Sequence, residues 1–383
     1  MASAVSEPPI VLDESRQRSA REYARVRRRL WALQLVVSGV LFLGLIASGA
    51  ALAWLEFLRE RWALSPAAEI GAVAFALGGA AFLINLPLDY YSGFVLPHRY
   101  GLSVQSLSGW IEDTVKGSGI SAGLGLLAVQ VVYAFLGAAA SAWWLWSGIS
   151  LLAATVLLAA IQPIVLMPLF YKIRPLGEAD QFTVERLTRL AAKAGVRVRG
   201  VFSFDMSRRT KAANAALAGL GRTRRILLGD TLLQNFSPDE VETVLAHELG
   251  HHVHRDIPLG ILIQASFQFG AFYVAGVVMK GAVSWLGLRG IEDPAGMPVL
   301  ALTLGALGLL VLPLANAYSR WRESMADEFA LRLSQKPGAF ASAMTRLANQ
   351  NLADADPEPW VVWLLHSHPP LRERIARARA AAS

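Results

Sequence analysis

The sequence contains no cysteine and few charged residues for its length. Without cysteine, the chain can form neither a disulfide framework nor a zinc site built from thiolates. Only 17% of its 383 residues are charged and 54% are apolar, whereas a soluble domain carries about a quarter charged residues. The charge is missing from long continuous stretches, which is typical of segments that cross a bilayer. The composition therefore predicts an integral membrane protein.

Six of the apolar stretches are long enough to form transmembrane helices, at about 20 residues per crossing. The predicted spans are 31–55, 70–88, two helices within 117–171 joined by a tight turn around 143–148, 257–279 and 294–319. The first stretch is too long for a cleavable signal peptide and lacks its small-residue cleavage site. We therefore expect this stretch to be a membrane anchor that follows a basic leader over residues 1–30.

Lysine and arginine residues lie beside these spans and give the chain a net charge of +7. The position of these basic residues beside the spans indicates that they determine the membrane topology. We do not expect nucleic acid to be a partner. If six spans alternate, four basic segments fall on one side: the leader, the loop around 98–116, the segment from Lys172 and the stretch from Arg320. The positive-inside rule predicts that this side is cytoplasmic.

The polar stretch 172–256 is too long for a loop and predicts a small α+β domain. "EADQFTVERLTRLAAKAG" has apolar residues at helical spacing and ends at Gly195. "VRGVFSFDMS" and "RRILLGD" are short apolar runs bounded by turn residues, which predicts strands. Ser237 and Glu240 then form the pattern of a capping box, so a helix begins there. The predicted units are the leader, a four-span N-terminal membrane domain (31–171), the small domain (172–256), two further spans (257–319) and a C-terminal segment (320–383).

The helix that begins at Ser237 runs through "LAHELGHHVHRD" (245–256), which holds four of the seven histidines. His247 and His251 are one helical turn apart, so both imidazoles can reach one metal ion. Glu248 lies beside the first of them and is placed to take a proton from a water molecule. This HExxH arrangement is that of zinc peptidases. A solvated helix rich in histidine is the alternative, but the capping box and the flanking apolar residues favour a metal site.

An open zinc site needs a third protein ligand, and two residues are candidates. His254 lies on the same helix, but about 10 Å from His247 along a straight helix, which is too far for a shared ion. Glu323 lies in "YSRWRESMADEFAL", a helical stretch after the last span, and is the favoured ligand. Asp327 follows it by one turn and could accept a hydrogen bond from a zinc-bound histidine.

"HELGH" followed by "SRWRESMAD" resembles the membrane zinc metalloproteases of the CAAX prenyl protease type I family and their bacterial relatives. Three further segments are similar to that family, in the same order: "LPLDYYSGFVLPHRYGLSVQSL" (86–107), "KAANAALAGLGRTRRILLGDTLL" (211–233) and "HSHPPLRERI" (366–375). The resemblance covers the chain from about residue 85 to its end. It implies a mainly α fold, in which a polytopic bundle of about six membrane helices carries a small α+β domain of the zincin type.

The resemblance also implies a role for each matching residue. His247, His251 and Glu323 would bind zinc, Glu248 would be the general base, and Asp327 would orient one of the ligands. Asn214 and Ala215 would lie on an edge strand that binds the substrate, and His368 and Arg374 would lie near the scissile carbonyl. The implied activity is zinc-dependent hydrolysis of polypeptides associated with a bacterial inner membrane, with the active site on the cytoplasmic side. A quality-control protease of the heat-shock branch and an inactive zinc-binding scaffold are the alternatives. Because eukaryotic members have seven spans, six spans imply a smaller or more open chamber.

Overall fold

The computed structural model describes residues 11–177, 180–219 and 224–382. In these ranges six helices are long and apolar enough to cross a membrane, which confirms the predicted number of spans. They are Glu14–Ser48, Pro66–Arg99, Leu107–Ala138, Trp143–Phe170, Asp256–Leu286 and Pro294–Ser334. The first ten residues of the leader, residues 178–179 of the predicted helix and residues 220–223 of the segment 211–233 lie outside the described ranges.

The first four spans consist of six helices, two pairs of which are joined by π-helical turns, and a seventh helix, at Ala50–Arg61, lies between the first two spans. They are α1 (Glu14–Ser48), α2 (Ala50–Arg61), α3 (Pro66–Tyr90), α4 (Leu96–Arg99), α5 (Leu107–Ala138), α6 (Trp143–Ile161) and α7 (Met167–Phe170), with the π turns at Tyr91–Val95 and Gln162–Leu166. The predicted span 31–55 is not one helix, because Gly49 takes the left-handed conformation (φ 65°) and ends α1. The basic leader is helical from Glu14 onward and continuous with the first span.

The predicted turn around 143–148 is wrong. The chain turns at 139–142, and Trp143 to Gly148 form the first turns of α6. Gly148 has a packing function there, because a Cβ atom at this position would collide with the ring of Phe269 on the neighbouring helix. A glycine that suggests a turn in the sequence therefore allows the close approach of two membrane helices.

The last two spans are α11 (Asp256–Leu286) and α12 (Met297–Ser334), and both are longer than predicted. At 1.5 Å per residue, the 38 residues of α12 extend over about 57 Å, whereas the hydrocarbon core is about 30 Å thick. The helix therefore crosses the predicted boundary at 319–320 without a break. Its second half, which carries Glu323 and Asp327, is a direct extension of a membrane span.

A four-stranded sheet forms the small domain, in the order β1-β2-β4-β3. The strands are β1 (Ile173–Pro175), β2 (Val201–Phe204), β3 (Ala215–Ala218) and β4 (Arg225–Gly229). The predicted strands correspond to β2 and β4, which pair in parallel, and the predicted helix is α8 (Gln181–Lys193), closed by Gly195 with φ 72°. β3 pairs with β4 alone among the described strands, so it forms one edge of the sheet.

Helix α10 (Pro238–Val253) carries the histidine cluster and packs against α8, α12 and β3. The four remaining helices are α9 (Asp230–Asn235), α13 (Pro337–Gln350), α14 (Pro359–Leu365) and α15 (Leu371–Ala380), and of these α13 packs against α10. The predicted capping box at Ser237 and Glu240 is present, and the buried Glu240 carboxylate also accepts hydrogen bonds from Ser342 and Arg346 of α13. Leu245 and Leu249 of α10 pack into one core with residues of α8, the sheet, α12, α13 and α15. This core fixes α10 against α12.

Candidate metal centre and active site

Three side chains from two helices converge at one point. The Nε2 atoms of His247 and His251 are 3.0 Å apart. The nearest carboxylate oxygens of Glu323 lie 3.2 Å from the former nitrogen and 3.3 Å from the latter. Adjacent ligand atoms on a tetrahedral ion with bonds of about 2.0–2.1 Å are about 3.3 Å apart. The spacing of the three side chains therefore fits a small divalent ion such as zinc.

The carboxylate of Glu323 is also incompletely hydrogen-bonded within the described ranges. The side chain is buried, and its Oε2 atom has no donor in hydrogen-bonding geometry within the described ranges. A buried carboxylate oxygen without a partner is costly, and a cation at the point of convergence would remove that cost. His254 is not part of this group, since its ring packs edge-on against Phe329.

Each histidine contacts an aspartate through its other ring nitrogen, Nδ1. Nδ1 of His247 lies 2.9 Å from Asp327, and Nδ1 of His251 lies 2.7 Å from Asp256. An Nδ1–H donated to a carboxylate leaves Nε2 with its lone pair directed at the ion, and a neighbouring carboxylate makes the imidazole a stronger ligand. The sequence reasoning anticipated the first pair and missed the second.

Each aspartate is in turn bound by an arginine. Arg374 donates to both oxygens of Asp327, at 2.8 and 2.5 Å. Arg322 donates from Nε to Asp256 at 2.7 Å, and from Nη2 to the same oxygen. The turn that brings Asp256 back to the site is made by Arg255, whose φ of 56° is left-handed and uncommon for a residue with a side chain. Two matching series of side-chain contacts, His247–Asp327–Arg374 and His251–Asp256–Arg322, therefore support the site.

The acidic surroundings favour positive charge on both imidazoles. Burial is the largest influence on His247 and opposes protonation, but the neighbouring carboxylates of Asp327 and Glu323 outweigh it and raise its pKa to about 9. The pKa of His251 is also raised, because Glu323 and Asp256 outweigh the effect of burial. The same negative potential that retains a proton attracts a metal ion. Burial raises the pKa of Glu248, the residue between the two histidines.

The site opens on a cavity of about 820 Å³. The cavity is lined by His247, Glu248, Asn214, Ala215, His368 and Arg374, all of which were named from the sequence. His368 Nε2 lies 3.3 Å from Glu323, and burial lowers the pKa of His368. Arg374 is buried, and its guanidinium is bound to Asp327, so much of its hydrogen-bonding capacity is used within the site.

The opposite wall of the cavity comes from membrane helices. Tyr23, Arg27 and Trp31 of α1 and Leu312 of α12 line this wall. The cavity therefore reaches from the metal-binding residues to the two helices that cross the membrane at either end of the chain. Sequence reasoning did not anticipate this wall, because nothing in the leader indicates which side of α1 faces the catalytic helices.

The edge strand β3 begins beside the cavity. The carbonyl of Asn214 accepts from the N–H of Gly229, so this residue faces β4. Since backbone groups alternate along an antiparallel strand, Ala215 and Leu217 direct theirs away from β4. The N–H of Ala215 is held by the side-chain oxygen of Asn214 at 2.9 Å. The free edge therefore offers main-chain groups to an added strand, with the Asn214 amide covering the first of them.

The chain is similar over its whole length to known membrane proteases. Residues 178–382 match peptidase family M48, and residues 7–172 match the CAAX prenyl protease N-terminal region, described as five membrane helices. Within the latter stretch, the described residues form four helices that could span a membrane. The match therefore extends to the membrane region as well as to the small domain.

Individual relatives agree with this result. The CAAX prenyl protease 1 homolog of Oryza sativa subsp. japonica is 31% identical over 303 residues, which cover 77% of this chain and 69% of that protein. The Bacillus subtilis protein called "Uncharacterized metalloprotease YhfN" is 28% identical over 377 residues, covering 97% and 88%. The crystal structure of S. mikatae Ste24p aligns with a TM-score of 0.85 and 23% identity over 98% of this chain and 92% of that one, so the two chains share a fold.

Proposed function

This chain belongs to peptidase family M48 and is a membrane metalloprotease of the CAAX prenyl protease type, and on that basis we propose that it is a zinc-dependent endopeptidase acting on membrane-associated polypeptides. The observation that supports this proposal most directly is the convergence of His247, His251 and Glu323 beside Glu248 at the wall of a cavity. The proposed ion is zinc, at one per chain, because two imidazoles and a carboxylate form an open three-ligand site.

In the proposed reaction, His247, His251 and Glu323 hold the ion, and Asp327 and Asp256 keep the two imidazoles in place. Zinc, when bound, supplies Lewis acidity, which makes a carbonyl easier to attack. Glu248 accepts a proton from the attacking water and delivers it to the nitrogen of the leaving amine as the C–N bond breaks. The three-ligand set leaves room for water and substrate, as a catalytic site requires.

Other residues of the cavity are assigned to the substrate. We assign His368 as a donor to the oxygen of the scissile carbonyl, because its imidazole lines the cavity beside Glu323. Arg374 adds positive charge at the same wall and holds Asp327. Asn214 and Ala215 start the free edge of the sheet, where an extended polypeptide can add as a strand. The proposed substrate is therefore extended where it is cut.

The proposed location is a bacterial inner membrane, with the site on the cytoplasmic side. The chain is a multi-pass membrane protein. The side of the membrane is inferred from the basic residues at the ends of the spans. The similarity to the Bacillus subtilis metalloprotease over nearly the full chain supports a bacterial setting.

The proposal is tested by separating metal binding from hydrolysis. Glu248→Gln should bind zinc like the unmodified protein and lose peptidase activity by at least about 10²–10⁴-fold, because its carboxylate serves in two proton transfers. Glu328→Gln is the control, since Glu328 is exposed on the far part of α12. In cells, the new peptide termini made by the active protein should be absent with Glu248→Gln. Equal hydrolysis by both variants would exclude the proposed mechanism.

A further inference from the structure

Two tryptophans of the short helix α14 point away from the protein. Trp360 is 58% exposed and Trp363 is 60% exposed, and at a spacing of three residues they share one side of the helix. Val361 is buried on another side. The helix, "PWVVWLL", contains no charged residue. An exposed pair of large aromatic side chains on a non-spanning helix normally marks an interaction surface.

Hydrogen bonds to α12 fix the level of α14 relative to the membrane. Asn316 donates to the carbonyl of Leu364 at 2.7 Å. Arg320 donates to the carbonyls of Val362 and His366, at 2.8 and 2.7 Å. Asn316 and Arg320 stand where the charge-free stretch 294–319 of α12 ends. These contacts place α14 where that span leaves the hydrocarbon core.

A contact with the first span independently places α14 at the same level of the membrane. Glu358, at the start of α14, pairs with Arg28 of α1 at 3.4 Å. Arg28 lies three residues before Trp31, where the charge-free stretch of the first span begins. Both membrane helices therefore hold α14 at the boundary between the apolar core and water.

A lipid-facing stripe of α12 leads to the same place. Leu310, Leu314 and Trp321 are exposed and lie within about 40° of one another around the helix axis. The two leucines belong to the charge-free part of this span, where we expect their exposed side chains to contact acyl chains. The stripe ends in Trp321, which is 56% exposed. Tryptophan is enriched at membrane interfaces because its ring is apolar and its N–H is polar.

We propose that α14, together with Trp321, is a docking surface for the lipid bilayer, seated in the interfacial layer on the side of the small domain. The occupant is lipid and not a second polypeptide, because the surface continues the lipid-facing stripe of α12 and is tied to two spans at their ends. Leu365 and His366, at the end of α14, line the catalytic cavity. The mouth of the cavity therefore lies next to the headgroup layer. This inference does not depend on zinc or on hydrolysis.

The absence of cysteine makes a direct test possible. Trp360→Cys and Trp363→Cys, each in the full-length chain, are labelled with a nitroxide and reconstituted in vesicles of phosphatidylethanolamine and phosphatidylglycerol. Collision of the label with oxygen, which concentrates in lipid, is compared with collision with a water-soluble nickel chelate. Leu314→Cys is the reference in the bilayer. Glu328→Cys is the reference in water, eight residues after Arg320 and so about 12 Å further along α12.

Both tryptophan positions should favour oxygen over the chelate several-fold relative to Glu328→Cys, and should lie between the two references. Equal access of the chelate at 360, 363 and 328 would overturn the proposal. Exclusion of both reagents from 360 and 363 would also overturn it, because protein and not lipid would then cover the surface. Thermal unfolding like that of the cysteine-free parent identifies correctly folded variants, and two independent positions keep one poorly folded variant from deciding the result.

Discussion

Nδ1 of His251 lies 2.7 Å from a carboxylate oxygen of Asp256, five residues further along the chain. His247 has the same relationship to Asp327, at 2.9 Å, and an arginine binds each aspartate. The two imidazoles are therefore oriented by carboxylates from two membrane helices, Asp256 at the start of α11 and Asp327 on the extension of α12. A membrane helix thus contacts each of the two histidines through an aspartate.

Asp256→Asn should weaken zinc binding by about 10–100-fold, because the amide keeps the shape of the side chain but removes the charge that orients His251 and increases its basicity. Zinc affinity is measured by competition with a chelator. Asp354→Asn is the matched control, since Asp354 also lines the cavity and its carboxylate accepts from the N–H of Asp356. An unchanged affinity for Asp256→Asn would show that the contact does not support the metal.

The choice of third ligand predicts a difference in metal content. Purified protein should carry about one zinc per chain, and Glu323→Ala should lose it because only two ligands would remain. His254→Ala should retain it, because His254 lies against Phe329 and outside the converging group. Metal analysis of both variants decides the question. Full zinc content in Glu323→Ala would refute our assignment.

The edge-strand assignment predicts the relative activity of three variants at equal zinc content. Ala215→Pro removes the N–H at the start of the free edge and should reduce peptide hydrolysis strongly. Ala215→Ser keeps the N–H and should have a mild effect. Asn214→Ala should fall between them, because its amide lines the cavity and can contact the substrate, whereas the main chain stays intact. Similar hydrolysis rates for Ala215→Pro and Ala215→Ser would mean that substrate does not dock on β3.

The close approach of α10 and α12 at Gly250 predicts that a larger residue at this position destabilises the fold. A Cβ atom there would lie 3.0 Å from Cα of Ala326 on α12, so Gly250→Ala should push the two helices apart and destabilise the fold by about 1–3 kcal/mol. Gly260→Ala is the control, since it too lies within a helix, with nothing within 4 Å of the added atom. Denaturant unfolding measures both effects. Equal stability of the two variants would show that α10 and α12 can separate without cost.

The number of spans predicts on which side of the membrane each part of the chain lies. Reporter fusions at the N-terminus, near residue 200 and at the C-terminus should all report the cytoplasmic side, because the basic residues lie there. A reporter at residue 290, between α11 and α12, should report the opposite side. A cytoplasmic signal at residue 290 would mean that α11 and α12 do not both cross the membrane.

The features predicted most accurately are those that a short stretch of sequence determines by itself. The thickness of the hydrocarbon core fixes the length of a charge-free stretch, so six spans could be counted. The helical period places His247 and His251 together, so a metal site could be inferred. Helix ends were less accurate, as α12 shows. Composition changes where a span leaves the lipid, but the backbone hydrogen bonds of the helix continue.

The contacts that were missed depend on how helices are turned relative to one another. Asp256 reaches His251 only because Arg255 adopts a left-handed conformation between α10 and α11. Arg374 reaches Asp327 from α15, 47 residues further along the chain. Neither contact follows from a spacing in the sequence. Arg374 was named only through the family resemblance, without this contact, and Arg322 could have been suspected only if its burial had been known.

The continuous helix α12 also couples the position of Glu323 to the tilt of a membrane span. Glu323 lies 26 residues beyond the start of this helix, or about 39 Å along its axis, with Pro313 between the two points. Membrane helices tilt when bilayer thickness changes. A tilt of one degree about the far end would move Glu323 by about 0.7 Å, which exceeds the tolerance of about 0.2 Å for metal–ligand distances. The core shared by α10 and α12 therefore has to carry α10 along with α12, so that the three ligands keep their geometry when membrane thickness changes.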